Sequence, residues 1–377
     1  MCALEKGHPG PGSLVDLAVD YEQEVRFYRI DGVPGKLDRL AKGKARTEAF
    51  LDHIVGVAGC QQGGGRPGYC LVGGIWVPLE EVRRCGLSLA LERWPGADDY
   101  QIGGHFCRRP LLCISCAIRR AGVLWSRGRD RLELARRDGR LDGLIPHMLT
   151  LTVKDGPDLA ERLEHVAGTL GGLIHTRRAG RGSTSFRRLA GGTFSYEFKM
   201  GKWSRLWHPH VHAVVFADGE LPLERQPPDD RGRVVYRWPE LAEEWRRLTG
   251  DSFIVECHPI VDDPGNPSFS GMDDALCEVF KYQVKPNCLA PDEQLLAYRV
   301  LSGRRRRLMD SFGVLRGLGI GEFPGKELRM EHQREREAKR KGHSVDSWWY
   351  TYRACEYVLD SWNHRDADGV VAGGVAG

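Results

Sequence analysis

Three histidines stand at alternate positions in WHPHVHAVVF: His208, His210 and His212. The apolar residues after them suit a β-strand, where side chains alternate between faces, so His210 and His212 project from one side and can close on one ion. Two imidazoles alone bind a divalent cation weakly. A third ligand is available in Glu197, the inward candidate on the preceding strand, which a hairpin would bring alongside. Pro209 fits a strand only at its start or on an edge, which puts His208 at the rim and makes it the poorer ligand. Downstream, CEVFKYQVK holds Glu278, Lys281, Tyr282 and Lys285. On a helix Glu278 and Tyr282 are i and i+4, and a carboxylate and a phenol then face one point. The plainer alternatives are a structural histidine pair and a half-buried tyrosine whose neighbour Glu278 pairs with Lys281 or Lys285. Taken together, the two segments offer a metal, a nucleophile and a base.

A second cluster lies in HFCRRPLLCISC. Cys113 and Cys116 have the C-x-x-C spacing that lets two thiolates share one zinc ion, and Cys107 is near enough to be a third ligand. His105 and Cys85 are both eligible as the fourth, and Cys60 and Cys70 can also join in. Cys2, Cys257, Cys277, Cys288 and Cys355 read as ordinary cysteines. The chain has 11 cysteines and starts MCALEKGHPGPG, without the basic start and apolar run of a secretory signal. A cytoplasmic location and reduced thiols, available for a metal site, are therefore expected rather than a disulfide framework. No stretch approaches the roughly 18 apolar residues of a membrane span, so a membrane-spanning helix is excluded.

The charge is unevenly placed. The net value is only +4, yet residues 101–140 hold 10 basic and 3 acidic groups, 177–205 hold 8 and 1, and 303–342 hold 12 and 6. The remainder of the chain is therefore net acidic. Clustered arginine of this kind is what a polyanion-binding surface needs, and nucleic acid becomes the leading partner. The same runs also suit solvated helix faces.

The elements that must position these groups can be read from periodicity. Residues 1–100 form an N-terminal extension with little pattern, and 101–144 form a cysteine-containing basic region whose stretch from Ala117 to Arg140 is helical. His147 to Val153, Thr193 to Met200, His210 to Phe216 and Ser252 to Val261 read as strands. GKWSR reads as the turn between the second and third. Helical spacing recurs over Leu159 to Leu173, around Leu241, Trp245 and Leu248, and from Ala275 to Lys285. The order β-α-β-β-α-β-α predicts an α+β domain over 145–320. Its split βαβ (ferredoxin- or RRM-like) antiparallel sheet would carry helices on one face and leave the other open for a site. Residues 321–377 read as a charged helix, KELRMEHQREREAKRK, and a disordered tail.

LTLTV at 149–153, YEF at 196–198, HPHVHAVV at 208–215 and EVFKYQVK at 278–285 resemble, in this order, the motifs of HUH endonucleases. The likeness is to bacterial plasmid rolling-circle replication initiators with a single catalytic tyrosine. It spans about residues 105–320 and includes LSGRRRRLMDSFGVL at 301–315, which resembles the family's closing segment. The resemblance implies that His210, His212 and Glu197 hold magnesium or manganese, that Tyr282 is the nucleophile, and that Glu278 is the carboxylate four residues before it, with Lys281 beside them. It further implies attack on single-stranded origin DNA with a 5′-phosphotyrosine intermediate, binding of the duplex origin, and a host helicase and polymerase as partners. The family often carries a similar cysteine knot, so the resemblance also supports a structural zinc at Cys107, Cys113 and Cys116. Phe186, Trp203 and Trp207 are available to stack on unpaired bases, with core or turn packing as the alternative.

Two other functions compete. A rolling-circle insertion-sequence transposase would typically place a second tyrosine where this chain has Glu278. A non-catalytic zinc-containing DNA-binding protein would bind DNA whether or not Tyr282 is present.

Overall fold

The structure, a computed structural model, describes residues 33–56, 61–62, 67–72, 74–93, 100–180, 182–201, 203–228, 234–252, 254–261, 271–281, 289–302, 307–318, 344–351 and 356–359. The chain divides into two compact units, one of Met1–Arg120, Ala290–Arg299 and Gly325–Gly377, the other of Ala121–Leu289 and Val300–Pro324.

In chain order the first stretch comprises α1 (Val33–Gly56), β1 (Gln61–Gln62), β2 (Cys70–Val72), β3 (Ile75–Val77), α2 (Leu79–Arg83), β4 (Ser88–Arg93), β5 (Tyr100–Gly104) and α3 (Ile114–Arg137). Then follow β6 (Leu144–Thr152), α4 (Leu159–Ala179), β7 (Leu189–Met200), β8 (Trp207–Asp218), β9 (Glu224–Arg225), β10 (Tyr236–Arg237), α5 (Pro239–Thr249), β11 (Val255–Pro259) and α6 (Met272–Phe280). The chain continues with α7 (Pro291–Ser302), β12 (Met309–Gly313), β13 (Ser344–Thr351) and β14 (Glu356–Leu359). No helix among the described residues is long and apolar enough to cross a membrane.

The described part of residues 1–100 holds helices and strands. In the first unit β1, β2 and β3 form a small antiparallel sheet, and β14-β13-β4-β5 form a second. Residues 344–359, within the segment read as a charged helix and tail, thus supply two strands, and β13 pairs with β4 from Ser344↔Arg93 to Trp349↔Ser88. The charged run 326–341 lies outside the described residues. Phe50, Leu51 and Ile54 of α1 share a core with Val72, Val77, Val82 and a group of buried cysteines. Two hydrogen bonds fix α1 against the start of α3: Ile114 N–H donates to Thr47 Oγ1 at 3.1 Å, and Ser115 Oγ–H to the Leu40 carbonyl at 3.3 Å.

The second unit is mixed α+β around a seven-stranded antiparallel sheet of order β12-β7-β8-β6-β11-β10-β9. Helix ends obey local chemistry. The Asp158 side chain accepts from Ala160 N–H and Glu161 N–H to start α4, and left-handed Gly180 and Gly250 end α4 and α5. Helices cover both faces, not one. On the face that carries Phe194 and Phe312, Phe186 stacks on Phe312 at 5.7 Å and Arg177 of α4 lies 5.6 Å from the same ring. On the other face α6 packs Ala275, Leu276, Val279 and Phe280 with Leu132 and Ala135 of α3 onto Met148, Val214 and Phe216. The reason lies in the strands themselves. β8 alternates His208, His210, His212, Val214 and Phe216 on one face, so half of that face is apolar and must be buried while the other half is polar.

Candidate metal centre on the central strands

The β7–β8 hairpin sets Glu197 directly opposite His210 and Ser195 opposite His212, while β6 sets Thr150 beside His212. Same-face alternation then brings the three expected ligands together. Glu197 Oε2 lies 3.0 Å from His210 Nε2 and 2.9 Å from His212 Nε2. All three side chains are buried, Glu197 to 1% exposure and His210 to 4%. Burial pushes the Glu197 carboxyl up, but the Lys281 ammonium and His210 outweigh it and hold the group well below the ordinary carboxylate range. Burial drives His210 down to about 4 against the pull of Glu197. Near neutral pH the cluster therefore presents an anionic oxygen and, at His210, a neutral imidazole, the protonation states that ligate a cation. The three residues fit a divalent ion as a buried nitrogen and oxygen donor set.

Helix α6 delivers the second group. Glu278 Oε1 is 3.6 Å from His212 Nε2, and Lys281 Nζ pairs with Glu278 and lies 4.0 Å from Glu197 Oε2. Burial raises Glu278, yet Lys281 and His212 prevail and its pKa is lowered. Glu278 is therefore both next to the histidines and ion-paired to Lys281, so the two readings of the sequence coexist in one residue. The expectation that Glu278 and Tyr282 stack on a continuous helix needs correction. α6 ends at Phe280 and Lys281 is already extended, with φ −63° and ψ −172°. The helix stop coincides with a bond from Ser195 Oγ–H to the Val279 carbonyl at 2.5 Å, made from the strand beneath. Tyr282 and Lys285 lie outside the described residues.

Sequence reasoning missed three polar partners. Thr150 Oγ1 lies 3.3 Å from His212 Nδ1, the ring nitrogen that faces away from Glu197. Its signal was the LTLTV strand, whose inward threonine becomes visible only once β6 is placed beside β8. Asp155 pairs with His208, which is held at the rim as its proline neighbour implied. Lys199 Nζ stands 3.6 Å from Glu197 Oε1. Of the three aromatic candidates, Phe186 and Trp207 are core residues at 1% exposure, whereas Trp203 is 88% exposed.

The second cluster is a buried four-cysteine set whose fourth member is Cys85, between α2 and β4. Cys85 Sγ lies 3.5 Å from both Cys116 Sγ and Cys113 Sγ, and Cys107 Sγ lies 3.5 Å from Cys116 Sγ. Four sulfurs about 2.3 Å from a common tetrahedral centre would sit about 3.8 Å apart, so the spacing fits one metal ion. Thiol hydrogen bonds from the neighbours, Cys107 foremost, hold Cys85 and Cys116 below the ordinary thiol range. His105 is exposed and stands outside the set. Cys70 is disulfide-bonded and cannot join it, a departure from the expectation of reduced thiols. Cys257 is an ordinary buried thiol, pushed up to about 12 by burial, and Cys277 is a half-buried thiol outside any disulfide. Cys2, Cys60, Cys288 and Cys355 lie outside the described residues.

No protein-family model matches the chain, and neither does any curated protein or solved structure.

Proposed function

We propose that the chain is a plasmid rolling-circle replication initiator of the HUH type, a site-specific endonuclease and strand transferase. The observation that carries this reading is the meeting of Glu197, His210 and His212 with Glu278 and Lys281 at the end of α6, because Tyr282 follows Lys281 directly in the chain. The sheet supports it too. β8 lies between β7 and β6, and β11 pairs with the other side of β6, an order that favours the split βαβ reading of the central four strands.

In this reading the Tyr282 phenolate oxygen attacks the phosphorus of a phosphodiester in single-stranded origin DNA. A bond forms from phosphorus to Tyr282 and the bond to the 3′ oxygen breaks. That oxygen takes up a proton and leaves as a 3′ hydroxyl, the primer that a host helicase and polymerase would extend. A magnesium or manganese ion held by Glu197, His210 and His212 would polarise the phosphate oxygens and offset the charge developing on them. Lys281 keeps Glu278 ionised, and Glu278 can then take the proton of a water that ends the cycle by hydrolysis. The four-cysteine set would hold a structural zinc. This chemistry belongs in the cytoplasm, on duplex origins opened to single strands.

The test uses labelled single-stranded oligonucleotides from the replication origin of the replicon that carries the gene, with manganese, resolved on a denaturing gel. Wild type should give a protein-linked band and Tyr282→Phe none. Survival of the band in Tyr282→Phe would sink the assignment.

A further inference from the structure

The turn that joins β7 to β8 is built around an outward-facing indole. Gly201 N–H donates to the Leu206 carbonyl at 2.9 Å, Arg205 N–H to the Gly201 carbonyl at 3.0 Å, and Leu206 N–H to Ser204 Oγ at 3.3 Å. Arg205 accepts a left-handed backbone, φ 51°, to close it, and a Cβ at position 201 would collide with Ser204 Oγ. These bonds tie the described residues of the turn to one another, and among them it presents Trp203. At 88% exposure this side chain far exceeds the next most exposed large apolar residue among those described, Val123 at 48%. Indole is the largest apolar surface a side chain offers, and displaying nearly all of it to water forgoes the stabilisation its burial would give.

Location and charge indicate what covers it. The strands run in register from Glu197↔His210 through Lys199↔His208 to Met200↔Trp207, so the turn begins three residue pairs beyond the metal centre. That is about 10 Å at roughly 3.3 Å per residue. Arg205 lies in the turn and Lys199, whose ammonium is 3.6 Å from Glu197, just before it, inside the window of 8 basic residues and 1 acidic one. A ligand that is anionic along its length and offers open π faces at intervals is single-stranded nucleic acid. A duplex does not qualify, because its bases are already stacked.

We propose that Trp203 is the stacking platform for an unpaired base of single-stranded nucleic acid, a subsite on the path to the metal centre. The proposal builds on the replication-initiator reading, whose scissile strand would cross this turn, but its test is independent of cleavage.

The probe is an oligothymidylate of about twelve nucleotides, a length within the usual site sizes of single-strand binders. Binding is followed in chelator by anisotropy and by intrinsic tryptophan fluorescence, for wild type, Trp203→Ala and Trp203→Phe. Trp203→Ala should bind about tenfold more weakly. Trp203→Phe, which keeps a π face, should stay within about threefold of wild type. The salt dependence of binding should be the same in all three, since no charge is removed. Wild-type quenching should be absent in both variants, and affinity for the matching duplex should be unchanged. The proposal is overturned if wild type does not bind the oligonucleotide, if Trp203→Ala binds as wild type does, or if Trp203→Phe is as weak as Trp203→Ala. A protein that nicks origin DNA yet shows any of these outcomes loses this subsite and keeps its proposed function. One that never nicks but shows the expected pattern does the reverse.

Discussion

Glu197 is a single carboxylate asked to serve two imidazoles, and one of its oxygens meets both Nε2 atoms at hydrogen-bond distance. Such a ligand set works only if each ring is held in one orientation, which is the task of the atoms behind it. For His212 that atom is Thr150 Oγ1, which accepts from Nδ1–H when Nε2 is the ligating nitrogen. Thr150→Val keeps the shape and removes the oxygen. Manganese affinity, measured by direct titration without DNA, should fall about 10- to 100-fold, and an unchanged affinity would remove Thr150 from the site. Glu278 calls for a different experiment. If pairing with Lys281 were the whole role of Glu278, Glu278→Gln would keep both cuts. As the base of the closing hydrolysis, Glu278→Gln should keep the first nick and the Tyr282 adduct while losing release of the DNA. Termination at the wild-type rate in a plasmid with tandem origins would refute it.

At the scale of elements the site depends on where α6 stops and how it is seated. Ser195 donates to the Val279 carbonyl, and α3 meets the helix at Gly128, where a Cβ would collide with the buried ring of Phe280. Two effects of Gly128→Ala oppose each other. Helix propensity favours alanine over glycine by up to about 1 kcal/mol in a helix interior. Overpacking against a ring that is 3% exposed costs about 1–3 kcal/mol. The second should win, so Gly128→Ala should lower the free energy of unfolding in a denaturant titration. A more stable variant would show that α3 and α6 are not locked at this point.

Among the described residues the whole molecule holds two metal-competent clusters of opposite character, one in each compact unit. The four-cysteine set is closed, with four buried sulfurs and no remaining position, whereas a centre of two imidazoles and one carboxylate leaves positions for water or substrate. Their exchange should differ accordingly. Brief treatment with a chelator should abolish nicking, restorable by manganese, while elemental analysis of the same sample still finds close to one zinc per chain. Cys85→Ser should lower the zinc content and the stability of the protein. Loss of zinc and of nicking together in the brief treatment would mean that the two clusters are not separate sites.

Period and spacing were enough to read the central strands, the helix after the first of them and the same-face histidines, because alternation along a strand is a local property that the residues themselves impose. They were also enough to nominate Glu197, since a hairpin with a short turn has few registers. What they could not reach were contacts between segments far apart in the chain. Cys85 stood as one of two eligible fourth ligands until folding brought it beside Cys116, 31 residues on. Thr150 had no distinguishing mark until β6 lay against β8. The strands at 344–359 were hidden for the same reason, because their partner β4 ends at Arg93 and pairing across such a span leaves no local period. Likewise three aromatic residues looked alike on the page, and only packing buried Phe186 and Trp207 and left Trp203 in water. Local sequence determined which residues face the same way, and tertiary structure decided which of them meet, because burial and register are properties of pairs of elements and not of either one alone.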